Sequence, residues 1–194
     1  MTMWPWESAA FAYICYSAFA HAWWGERPGG GAVVLAAVAS VLPDVIDKPL
    51  GWQYGVFQNG YALGHSFFFG LLVLGVAHAV ARRSAHPTWG LAFGIGYLSH
   101  NVGDVLEYLP TGRPWYALAH GLWPVVVLPP GPRAPFGSTV VAYLREYLFR
   151  LVHLDVTPYF VIVGVIVAFA LALWAYDGFP VLRELVDRVR AGSG

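Results

Sequence analysis

Charge is what this chain has least of. Of its 194 residues, 11% are Asp, Glu, Lys or Arg, less than half of the roughly 25% found in a soluble domain. Neither sign is in excess: eleven basic residues face eleven acidic ones. No global field therefore draws the chain to nucleic acid or to an acidic surface. A single cysteine, Cys15, excludes an intrachain disulfide framework and any CxxC-type zinc or redox motif. What the chain has instead is 58% apolar and 16% aromatic residues, including nine Trp. Trp and Tyr collect at membrane–water interfaces, so the composition is that of a membrane protein whose main partner is the lipid bilayer.

The few charges are clustered, which leaves long runs without any. Eighteen uncharged residues separate Glu7 from Glu26 and sixteen separate Arg27 from Asp44; Pro49–Ala81, Ser84–Gly103 and Val156–Tyr176 carry none. A hydrocarbon core of about 30 Å takes about 20 apolar residues of helix. Helices satisfy every backbone group internally, whereas a barrel needs alternating strands. The expected fold is an all-α transmembrane bundle forming one integral membrane domain. Five spans are read at Ser8–Trp24, Gly30–Pro43 (short, extending toward Asp47), Gly60–Ala81, Trp89–Tyr108 and Thr157–Tyr176. The first is read as a span rather than a cleaved signal, because the leader before it carries Glu7 and no Lys or Arg.

Between Pro110 and Pro135 stand seven prolines, which break helix interiors, so this stretch reads as a re-entrant or interfacial loop. Thr139–Leu151 and Pro180–Arg190 mix apolar and charged positions at helical spacing and read as amphipathic interfacial helices. Arg27, the Arg82-Arg83 pair and Arg183, Arg188 and Arg190 fall on one side of five alternating spans. The positive-inside rule makes that side cytoplasmic. The N-terminus and the 44–59 loop then lie outside.

Ionisable groups at membrane depth are costly and point to function. Asp44 and Asp47 end span two, His65 lies just over one turn into span three, and His100, Asp104 and Glu107 end span four. His100 and Asp104, at i and i+4, share one helix face. Alternating spans bring the end of two, the start of three and the end of four to one membrane face. Two imidazoles with two or three carboxylates are a ligand set for zinc, with manganese or magnesium as alternatives. Such an ion lowers the pKa of a bound water to about 7. Asp44, His65, His100 and Asp104 are the expected ligands. Asp47 or Glu107 is the expected orienter or general base. His120 and Glu7 are possible additions. His78, His86 and His153 are read as non-catalytic, and Cys15 as a buried small apolar residue.

Leu42-Pro43-Asp44, Gly64-His65-Ser66 and Gly96-Tyr97-Leu98-Ser99-His100-Asn101-Val102-Gly103-Asp104 stand in an order that resembles the YdjM-type membrane-bound metal-dependent hydrolases. Trp4-Pro5-Trp6-Glu7 and Leu173-Trp174-Ala175-Tyr176-Asp177-Gly178 resemble the archaeal members in particular, so the similarity covers most of the chain. The pattern is also similar, more distantly, to the His/Asp zinc set of bacterial phospholipase C. The resemblance implies a hydrolase at the membrane acting on a phosphoester or lipid-like substrate. Two positions depart from it: Ser8 stands where relatives carry a histidine, and Gly60-Tyr61 where many carry His-Arg. The alternative is a non-catalytic membrane protein that keeps the His/Asp cluster as a structural tie between helices.

Overall fold

The computed structural model describes residues 3–86, 88–108, 112–131 and 133–192; Met1 and Thr2 of the leader and Pro110 and Pro132 of the proline-rich stretch lie outside the described residues. Every regular element among the described residues is helical. α1 (Pro5–Phe19) runs on into a π-helical turn, Ala20–Trp24, and ends on Gly25 in the left-handed region at φ 66°, the usual place for a glycine stop. α2 (Gly30–Ala39), α3 (Leu42–Lys48) and a second π turn, Pro49–Gln53, follow one another closely. α4 (Phe67–Arg82) starts on Ser66, whose hydroxyl accepts from the Phe69 amide at 3.3 Å. That bond satisfies one of the free donors of the first turn. α5 is Trp89–Tyr108, α6 Pro114–His120, α7 Phe136–Val152, α8 Pro158–Tyr176 and α9 Leu182–Gly192.

α5 is the central rod, packed against α1, α2 and α4. Its tightest neighbour is α2: a Cβ built on Gly96 would lie 2.1 Å from the Ala36 carbonyl oxygen. Around this crossing Tyr16, Ala32, Ala36 and Ala92 form a buried cluster with Trp24, Trp89 and Ile95 against it. Small residues at the seam let the backbones approach, as bilayer helices do where burial alone drives nothing.

Among the described residues, two helical stretches are long and apolar enough to cross a membrane: Gly30–Gln53, in which α2 and α3 run through, and α8. α4 is apolar but shorter. α8 turns Val161, Val165, Phe169 and Leu171 outward, each more than half exposed. A stripe of that kind is not tolerated on a water-soluble surface and suits lipid.

Two of the expectations about elements change. The third apolar run becomes helical at Phe67, not at Gly60, and the residues before it form a turn. The proline-rich stretch is not loop throughout, since α6 lies inside it. The amphipathic segments at 139–151 and 180–190 do fold as α7 and α9. Cys15 is half-buried rather than buried.

The end of α8 is fastened to α1 by one carboxylate. Asp177, fully buried, accepts from Ser17 Oγ at 2.6 Å, pairs with His21 Nε2 at 2.6 Å, and accepts from the Tyr13 hydroxyl. Tyr13, Ser17 and His21 follow one another at four-residue steps along α1 and the π turn that continues it.

Gly96→Val tests the seam. The added atoms meet Ala36 backbone that cannot yield, and overpacking of this kind costs about 1–3 kcal/mol. The variant is expected to unfold at lower temperature in detergent than Gly94→Ala, whose Cβ would meet only Leu74 at 3.4 Å.

Candidate metal centre

The centre is assembled around a carboxylate that does not face it. Asp47, fully buried on α3, accepts from the backbone amides of Ala62 at 2.7 Å, Gly64 at 2.8 Å and His65 at 3.1 Å. It also pairs with His65 Nδ1 at 2.8 Å. These four donors bend residues 62–65 into a turn, because a helix here would have used the same amides internally. Gly64 has no alternative at this point: a Cβ would lie 2.6 Å from the Pro43 carbonyl oxygen. Its own carbonyl accepts from the buried Tyr97 hydroxyl of α5. His65 is thus held from two helices without belonging to either.

With Asp47 ionised, the His65 proton resides on Nδ1 and the Nε2 lone pair points into the cluster. His65 Nε2 lies 3.2 Å from His100 Nε2, 3.4 Å from Asp44 Oδ1 and 3.5 Å from Asp104 Oδ2. His100 Nε2 lies 3.6 Å from Asp44 Oδ1 and 3.8 Å from Asp104 Oδ2. Asp44, His65 and His100 offer ligand atoms all within 4.8 Å of one another, a group that could hold a metal ion, and Asp104 lies beside both imidazoles. The other oxygen of Asp44 pairs with the Lys48 ammonium.

The donor set fits a divalent cation. Asp44, Asp47 and Asp104 against Lys48 leave two negative charges in a buried cluster when both imidazoles are neutral, and burying uncompensated charge is costly. His100 Nδ1 is buried with no hydrogen-bond partner among the described residues. Imidazoles with carboxylates, one histidine backed by a second carboxylate, match the chemistry of zinc sites.

Other residues singled out from the sequence fall at the margin. Glu107 accepts from the Met3 amide at 3.1 Å and lines a separate cavity of about 380 Å³ bounded by α1, α5 and α8. Glu7 is fully buried, accepting from the Trp4 amide at 2.8 Å and the Tyr159 hydroxyl at 2.7 Å, so it ties α1 to α8. Ser8 faces the same cleft as Asp44 and His100. This cleft, about 840 Å³, runs from the cluster between α1, Trp52, residues 129–131, Ala134 and α7. Lys48 and Tyr61, also on its wall, were not among the expected site residues. Lys48 was legible as the i+4 partner of Asp44, and Tyr61 only as half of the Gly60-Tyr61 pair that departs from the resembled pattern.

His120 is brought close. It is 2% exposed, and its ring stacks on Tyr61 with centroids 3.9 Å apart, while Tyr61 in turn lies 4.8 Å from the His65 ring. Tyr116 and Tyr108 enclose it edge-on. The Phe67 amide donates to the Gly121 carbonyl at 2.9 Å and Ser66 Oγ to the Trp123 carbonyl at 2.6 Å, so the end of α6 is fixed to the start of α4. Neither His120 nitrogen has a partner among the described residues. Burial pushes its pKa down to about 4.

His120 therefore stays neutral in the fold where an unfolded histidine, at about 6.5, would be protonated. Between those values the unfolded chain binds the extra proton, so stability falls as pH is lowered through the window and is undiminished above it. In metal-free protein, His120→Phe is expected to flatten this loss, read as the wild-type-minus-variant difference in unfolding free energy from pH 7 to pH 4. A difference that does not change with pH would contradict it.

No curated protein and no solved structure matches the chain. One family model does, over residues 3–179, and it spans the Pro-Asp of α3, the His-Ser before α4 and the His-x-x-x-Asp of α5. By that match the chain belongs to the YdjM inner membrane protein family.

Proposed function

We propose that this protein is a membrane-bound metal-dependent hydrolase acting on a phosphoester or lipid-like substrate. It forms one integral domain of five spans, at about 8–24, 30–43, 67–82, 89–108 and 157–176, the third starting where its helix does. The N-terminus and the site lie on the outer side and the C-terminus is cytoplasmic. The arginines at 27, 82–83 and 183–190 support this orientation. The single observation that carries the chemistry is the approach of the His65 and His100 Nε2 atoms to 3.2 Å beside Asp44 Oδ1. Two lone pairs so close to a carboxylate oxygen are reconciled by a cation between them.

Asp44, His65, His100 and Asp104 hold the ion, most fittingly zinc, with manganese or magnesium as alternatives. When bound, the ion supplies Lewis acidity and a hydrolytic water of lowered pKa. Asp47 holds His65 in the Nδ1–H tautomer and fixes its ring plane. With four donors on its two oxygens, it serves as orienter rather than base. Glu107, turned to Met3 and the smaller cavity, positions the N-terminal strap. The cleft is of a size that encloses a small organic ligand. Its walls, with Trp4, Val45, Trp52, Phe136 and Val140, suit an apolar portion.

A second reading has one observation in its favour. A proton shared directly between His65 and His100 would tie the 62–65 turn to α5 without any ion, and Ser8 faces the cleft where relatives carry an imidazole. Metal content separates the two. Purified protein is expected to contain stoichiometric zinc, and His100→Ala and Asp104→Ala to lose it while remaining folded. Asp47→Asn should keep the ligands but weaken metal affinity about 10–100-fold, measured by competition with a chelator. Chelator-sensitive hydrolysis of a phosphoester should follow the same order. Wild-type protein without metal would leave the tie as the function of the cluster.

A further inference from the structure

Among the described residues lining the cleft, Lys48 is the one cationic side chain. It sits at the metal end, 8% exposed, four residues from Asp44 on the same face of α3. Its ammonium has a carboxylate oxygen on one side and the Trp52 ring, 5.7 Å to the centroid, on another. A buried ammonium in an apolar bundle is expensive, and a surface tie between Asp44 and solvent would not require one.

Asp44 divides its two oxygens. Oδ1 faces the Nε2 atoms of His65 and His100, and the other oxygen faces Lys48. A cation on the Oδ1 side draws down the charge that Asp44 offers on the Lys48 side. The ammonium keeps three donors and remains on the cleft wall, beside the atom that faces the ion.

We propose that Lys48 is the oxyanion-recognising residue of this site and that the substrate presents an anionic tetrahedral group of the phosphate-ester class there. The assignment rests on the hydrolase reading above and narrows it, since a neutral amide or peptide would offer the ammonium no second anionic oxygen beside that of Asp44. Lys48 shares the wall of the cleft with Asp44 and His100, and apolar residues of the same cleft include Phe136 and Val140. The group it holds is therefore the head of a molecule whose remaining part extends toward Phe136 and Val140.

The test uses the zinc-loaded full chain in lipid nanodiscs and inorganic phosphate as the probe, with zinc content and phosphate affinity measured separately. A hydrogen bond to a charged group corresponds to roughly a ten- to hundredfold change in affinity. Lys48→Met is expected to keep wild-type zinc content and to bind phosphate about tenfold or more weakly, and Lys48→Arg to recover most of that loss. Phosphate affinity unchanged in Lys48→Met overturns the assignment. So does loss of zinc in both variants, which would make Lys48 a structural partner of Asp44. Wild-type protein without zinc instead removes the hydrolase reading, and this assignment with it. A parallel titration with dodecyl phosphate identifies the source of the group: tighter binding than inorganic phosphate, with the same dependence on Lys48, supports an amphiphile, and equal binding supports a soluble ester.

Discussion

The carboxylate of Asp47 holds the rest of the site in place. It is fully buried, and its two oxygens take three backbone amides and one imidazole nitrogen. In a medium without water each of those amides would otherwise be an unpaired donor costing several kcal/mol. The turn at 62–65 exists because Asp47 collects its N–H groups, and His65 points where it does because its Nδ1 is among them. Asp44 reaches the same space one helical turn earlier, and α5 brings His100 and Asp104 from the opposite wall. Three segments distant in sequence meet over one buried negative charge.

That arrangement also explains what could be read in advance and what could not. α5 was legible residue for residue, since a charge-free run closes on a His-x-x-x-Asp whose spacing puts both side chains on one face. α8 was legible for the same reason, as an unbroken apolar run between Asp155 and Asp177. The convergence of Asp44, Asp47, His65, His100 and Asp104 followed from alternating the helices, and the short distances bear out their meeting. The turn before α4 was not legible. Gly60–Ser66 is uncharged and reads as the first turns of a helix; only the carboxylate fifteen residues upstream of Ala62 makes the turn the better path. α6 was hidden by the count of prolines around it, although its own proline stands at the first helical position, where it costs least.

Lys48 shows a different kind of omission. Taken as one residue of a 44–59 loop, it contributes little. Taken as the residue four after Asp44 on a helix, it lies beside whatever Asp44 binds. The physical rule was available, and the span boundary drawn at Pro43 obscured it, because the helix in fact runs through to Gln53. Ser8 illustrates the converse. The sequence marked the position as altered, and it does face the cleft with Asp44 and His100.

The bonds from Ser66 and Phe67 to the carbonyls of Trp123 and Gly121 reach further than local order. They join the roof of the site to the residues immediately after His65, while Gly131 and Phe136 are fastened to the opposite rim through Gln58 and Gln53. A covering segment pinned at both margins is not a hinged door. Any tug on residues 121–123 arrives at the imidazole within two peptide units.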